Sequence, residues 1–351
     1  MGEMISLFGN NSDIISLLRS NTKFSQLKGL DLEELINLIE SFYLIYRPTL
    51  NLDDNVTFGT EIEYEKLSRL FVNDYFKSNL TDWKSTYDDS IKNGGEVISP
   101  KLIDSKKTWQ ELQVICNFLK ENNAQALDRT GAHIHAGAHI FDGDKEKCFD
   151  FLQTYIAYEK VLTRFFYGEY LNGRTYIDTD MKYMIKKFLY CGYDYEIGNL
   201  FGISLDDFLK KLDKEGLVRT SHADLSGIEK PGNTIELRIP NGTNEEIIWQ
   251  NNINAYTKLL LAIKNNIVDM DLVRHKIKGE FINNLNDKNL YNKIYVDDTL
   301  EFVDMIFDNN LDKVYFLRQY FKNFETVLDS KQLVKATSFI NKPNITINKI
   351  A

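Results

Sequence analysis

Cysteine is scarce in this chain: Cys116, Cys148 and Cys191 are the only three in 351 residues. An odd number with no metal-like spacing argues against a disulfide framework or a thiolate metal site. It fits reduced thiols in a reducing compartment, so a cytoplasmic location is expected. No apolar run approaches the roughly 18 to 20 residues that span a bilayer, and the first residues lack the basic-then-apolar order of a signal peptide. No membrane partner is therefore expected. No long Lys/Arg run stands out and the formal charge is −9, which makes a groove that neutralises nucleic-acid phosphates a poor reading. Repeats of 20 to 50 residues are missing, and so is a glycine-rich Walker-type phosphate loop.

What is present suits a globular protein with a sizeable core: 43% of residues are hydrophobic and 26% are charged. Residues 1–54 read as an N-terminal helical extension. There Asp31 is placed to cap a helix carrying Leu32, Leu35, Ile36, Ile39 and Phe42 at helical spacing, with Pro48 beyond its end. From Val56 the texture changes. β-Prone stretches at 56–65, 95–98, 132–140 and 233–239 alternate with helical patterns at 108–122, 146–170 and 244–267. The pattern predicts an α+β core over 55–267 and a helical C-terminal region over 268–351, with a Lys/Asn-rich tail expected to fray.

Four β-prone segments carry the chemistry. Glu61, Glu63 and Glu65 alternate with Ile62 and Tyr64, so on a strand all three carboxylates face one way. Taken alone, such alternation is most often a solvated strand face. His133 and His135 repeat the spacing between Gly131 and Gly137, and small flanking residues let a ligand or another backbone come close. Glu236 and Arg238 do the same, either as an ion pair or as a cation ligand beside a phosphate-binding guanidinium. Glu96 interrupts an otherwise apolar strand, Gly94–Ile98. Together the four sets suggest one hard-cation site with phosphate nearby.

In this order the segments Gly59-Thr60-Glu61-Ile62-Glu63, Asp88-Asp89-Ser90-Ile91, Gly95-Glu96-Val97-Ile98-Ser99-Pro100, Gly131-Ala132-His133-Ile134-His135 and Thr234-Ile235-Glu236-Leu237-Arg238, followed by Asn241-Gly242-Thr243, form a pattern. Over about residues 56–265 it resembles the amidoligase family, relatives of glutamate–cysteine ligases and glutamine synthetases. The resemblance implies a glutamine synthetase-like antiparallel sheet with helices on one face. It also implies an ATP-dependent ligase that joins a carboxylate to an amine through an acyl phosphate. By the same resemblance Glu61, Glu63, Glu96, His133 and Glu236 would hold Mg²⁺, while Arg238, Arg174 and His135 would contact ATP phosphate or substrate. The partners expected are a small-molecule amine and carboxylate, or a peptide or protein substrate. Two features depart from the family: about 55 residues precede the Glu-x-Glu strand, and a long segment with a helical Leu205–Leu209 pattern separates Arg174 from the last strand.

The alternative is a metal-dependent amidohydrolase built on the His133/His135 strand. That chemistry needs further imidazoles, for which His139, His222 and His275 are the candidates. It leaves the glutamates without a role.

Overall fold

A computed structural model describes residues 12–42, 44–126, 130–144, 146–167, 223–224, 233–284, 293–322, 324–326 and 334–336. Arg174, His222 and the Leu205–Leu209 pattern lie outside them. In chain order the helices are α1 (Ser12–Arg19), α2 (Leu30–Ser41), α3 (Arg69–Asn79), α4 (Lys106–Glu121), α5 (Glu146–Ala157), α6 (Glu159–Phe166), α7 (Glu246–Lys264), α8 (Met270–Asn284), α9 (Val296–Ile306) and α10 (Asn310–Tyr320). The strands are β1 (Thr57–Glu65), β2 (Lys84–Thr86), β3 (Gly94–Ile98), β4 (Leu102–Ile103), β5 (Ala132–Gly137), β6 (Ala223–Asp224), β7 (Thr234–Leu237), β8 (Phe324–Thr326) and β9 (Val334–Ala336). None of the described helices is long and apolar enough to cross a membrane.

Mixed helices and an open antiparallel sheet make an α+β architecture. The main sheet runs β2-β3-β1-β5-β7-β6, and β4 pairs with β1 beyond the end of β3. Between β3 and β4 the proline of Ser99-Pro100 cannot donate to the ladder. Ser99 fills in, its Oγ accepting from the Thr60 N–H at 2.8 Å and its own N–H donating to Thr60 O at 3.0 Å. At the free edge the Asn73 amide of α3 bonds both the N–H and the C=O of Ser85, at 2.8 Å each, so β2 leaves these groups unavailable for strand addition.

Alternation gives the sheet an apolar face. Ile62, Val97, Ile134, Ile235 and Leu237 are fully buried. Trp109 of α4 stacks on Phe58 at 5.6 Å, and the Tyr256 hydroxyl of α7 donates to Ile235 O at 2.9 Å. Ser105 starts α4 by accepting from the Thr108 N–H at 3.2 Å, a side-chain N-cap.

Several local expectations are corrected. Asp31 does not cap α2. Gly29 occupies the cap position at φ 57°, and Asp31 sits in the first turn, where its charge suits the helix N-terminus. The strand expected over 132–140 stops at Gly137, because Ala138–Phe141 forms a 3₁₀ turn. A β-carbon at Gly137 would fall 2.5 Å from Thr57 Oγ1 and 2.3 Å from His139 Cε1, so any other residue there would displace those side chains. The helix expected over 146–170 is two, α5 and α6, meeting at Tyr158. Before the Lys/Asn-rich tail, which lies outside the described residues, β8 pairs with β9.

The segments flanking the sheet pack on one another. Asp304 of α9 accepts from the N–H groups of Phe24 and Ser25 at 3.0 and 2.8 Å, and Asn310 of α10 donates to Leu17 O and Ser20 O. The chain then runs over α10 and α7. Arg47 pairs with Asp312 at 2.6 Å, both nearly sealed, and its backbone exchanges two hydrogen bonds with the Gln250 amide. Next the N–H groups of Leu50 and Leu52 meet the Asp104 carboxylate, which also accepts from Trp109 Nε1. This strap delivers the chain to the start of β1.

Candidate functional site

Strand register gathers the polar side chains on the other face. Glu63 lies opposite Glu96 on β3, Glu61 opposite His133 on β5, and His135 opposite Glu236 on β7. Residues separated by up to 175 positions in sequence thus become neighbours on staggered rungs of one sheet face. Glu63 is fully buried, and His133 and Glu96 nearly so.

His133 is the shared member. Its Nδ1 lies 2.9 Å from Glu61 Oε2 and 3.5 Å from Glu236 Oε1, while its Nε2 lies 3.7 Å from Glu63 Oε1. Two sets of potential ligand atoms result, Glu61–His133–Glu236 and Glu63–Glu96–His133, each with its atoms within 4.8 Å of one another. The second Glu61 oxygen meets His135 Nε2 at 2.9 Å. Glu63 Oε2 accepts from the Gly131 N–H at 2.7 Å, and Thr86 Oγ1 reaches Glu96 Oε2 at 3.4 Å. Arg238 forms an ion pair with Glu236, yet its Nε is enclosed without a hydrogen-bond partner.

The electrostatics reveal the crowding. Burial, followed by the charges of Glu61 and Glu63, pushes the Glu96 carboxyl up to about 9. Burial works the same way on Glu61, but hydrogen bonds from His133 and His135 outweigh it and hold that carboxyl well below the usual range. For His135 burial disfavours the charged ring, and Glu61 more than reverses this, raising its pKa. Carboxylate oxygens and an imidazole nitrogen converging with too little positive charge are a donor set suited to a divalent cation.

All five glutamate and histidine side chains proposed as metal ligands meet here, with His135 and Arg238 beside them. Arg174 lies outside the described residues. Asp88 of the Asp-Asp-Ser motif builds a turn instead, accepting from the Ser90 N–H at 2.7 Å. Sequence reading missed Thr86, because a three-residue strand carries no usable period, and the Gly131 N–H, because backbone donors carry no residue signature. Of the extra imidazoles an amidohydrolase would need, His139 is exposed and bonds Asn55 O, and His275 is exposed on α8; neither joins the cluster.

Residues 57–260 match the family model described as "Putative amidoligase enzyme". The chain belongs to this family. The match covers every strand of the main sheet and the helices α3 to α6 and most of α7. The chain matches no curated protein. Amidoligases take their name from amide-bond formation, so the family places this protein among enzymes that ligate carboxyl and amino groups.

Proposed function

We propose that this amidoligase is an ATP-dependent carboxylate–amine ligase of the glutamine synthetase-like type, working through an acyl phosphate. The observation that carries the reading is the pair of ligand sets sharing His133, with a partly satisfied arginine beside them. Glu61 and Glu236 would hold one Mg²⁺ ion and Glu63 and Glu96 the other. His133 would lend its single lone pair to one of the two ions and its N–H to a carboxylate of the other set. Bound there, Mg²⁺ would supply positive charge to the nucleotide phosphates as they transfer.

The protein's own groups then have distinct tasks. Glu236 anchors one end of the Arg238 guanidinium and leaves its buried Nε to donate to a phosphate oxygen. An unmet buried donor costs roughly 1–3 kcal/mol, which a phosphate acceptor would recover. His135, whose charged form Glu61 favours, would donate to the same group. Arg174 is the further candidate for phosphate or substrate contact. The substrate carboxylate oxygen attacks the γ-phosphorus and ADP leaves with the bonding pair. The amine nitrogen next attacks the acyl carbon, phosphate leaves, and the nitrogen sheds a proton.

Protein incubated with ATP, Mg²⁺, hydroxylamine and a pool of metabolites and short peptides should give ADP together with acyl hydroxamates, read by mass spectrometry. Unchanged ATP and no hydroxamate or amide from any pool would overturn the reading.

A further inference from the structure

Glu65 is the carboxylate that the two ligand sets leave over. It shares the polar face with Glu61 and Glu63 but lies two residues further along β1, roughly 6.5–7 Å beyond Glu63, and belongs to neither set. The residue is only 8% exposed. No hydrogen bond or ion pair engages its carboxylate among the described residues, although its backbone is held firmly: its N–H and C=O exchange bonds of 2.8 and 2.9 Å with Gln125. The positions opposite it are Gly94 on one side and Gln125 on the other. A β-carbon at Gly94 would meet Tyr64 O at 1.9 Å, so no side chain can stand across from Glu65 on that strand. The Glu65 oxygens are not among the fully enclosed atoms, so a cation can approach a carboxylate that has no countercharge of its own and be attracted to it.

We propose that Glu65 is the subsite for the ammonium group of the amine substrate, which rests on the ligase reading above. One carboxylate with a glycine opposite offers few oxygens to a divalent metal, which prefers six. An ammonium with three N–H donors needs less, and the Glu65 oxygens can accept two of them, with Gln125 occupying the bridge position opposite. The location suits the reaction. Glu63 and Glu96 would hold the neighbouring ion, so an ammonium held at Glu65 waits one strand step from the carboxyl group being activated. It passes one proton to the Glu65 carboxylate before its freed lone pair attacks the acyl carbon.

The test compares wild type, Glu65→Gln and Glu65→Asp in ATP-dependent hydroxamate formation, with methylammonium chloride as the charged probe. Hydroxylamine is largely uncharged near neutral pH, whereas methylammonium carries its charge. In wild type methylammonium should react in place of hydroxylamine or compete with it. In Glu65→Gln its effective concentration should rise about tenfold or more relative to hydroxylamine, the scale of a hydrogen bond to a charged group. Glu65→Asp, which keeps the charge, should retain part of the competition, and the Mg²⁺ activation curve should not move. Methylammonium without effect in wild type, equal losses for both nucleophiles, an Asp variant no better than Gln, or a shifted Mg²⁺ curve would each overturn the proposal. A shifted curve would make Glu65 a metal ligand. Wild type forming no hydroxamate would instead remove the ligase reading itself, and the amine subsite with it.

Discussion

Two ring nitrogens on one histidine face different carboxylates, so His133 ties the two halves of the site together. Its neighbours carry the sharpest residue-level predictions. Arg238→Lys should lower turnover at least about 10²-fold with an unchanged melting temperature, because a point charge cannot reproduce the guanidinium fork. Near-normal steady-state rates would reduce Arg238 to an ion-pair partner of Glu236. Glu63→Gln keeps an oxygen to accept the Gly131 N–H while removing one charge from a crowded row. In chelator it should melt at or above wild type, yet gain less from added Mg²⁺ and ATP; a lower melt with an undiminished gain would contradict this. Glu96 supplies a pH test. Its folded pKa of about 9 lies above the unfolded value of about 4.3, so the folded state binds the extra proton. Metal-free protein should therefore lose stability as pH rises between those values, and Glu96→Gln should flatten the slope in chelator melts.

At the scale of elements, the strap over residues 44–52 links the flanking helices to the strand that bears the glutamates. Arg47→Met would leave Asp312, which is 1% exposed, with amide partners but no cation. Breaking such a buried pair costs about 3–5 kcal/mol, which urea unfolding would register. A loss under about 1 kcal/mol would show that the strap rests on its other hydrogen bonds, to Gln250 and Asp104, rather than on the ion pair. Much of the element order was legible, since β1, β3, β5 and β7 follow runs of alternation and α4 and α7 follow apolar spacing. β2, β4 and β6 were not, being two or three residues long and placed by pairing rather than by period. Nor was the break at Tyr158, where both flanking turns are buried and the apolar residues continue on either side of it.

Taken whole, the molecule holds its helical layer partly through charged pairs on α9. Asp298 meets Lys160 and Lys276, and Asp304 meets Lys313 and two backbone N–H groups. Burial opposes ionisation at both, but these partners outweigh it and lower both pKa values. A depressed carboxyl contributes stability above its unfolded value and loses it as pH falls through the folded one. The loss should thus begin below about pH 3.9. Hydrogen exchange at about pH 3 should show residues 16–26 and α9 opening before the sheet. Simultaneous exchange of both regions, or full protection of both, would contradict this.

The chain's residue order by itself determined which side chains could share a face, because strand alternation is a local rule: Glu61 with Glu63, His133 with His135, Glu236 with Arg238. It also carried the ordered motifs by which the family is recognised. Only the tertiary structure decided which faces meet. Register across β3, β1, β5 and β7 is set by side-chain packing on the apolar face and by ladder hydrogen bonds between distant segments, and a slip of one residue would turn every carboxylate into the core. The crowding that lifts Glu96, the two aspects of His133 and the place of Glu65 beside both ligand sets are consequences of that register. No stretch of sequence contains them, because each is a distance between strands.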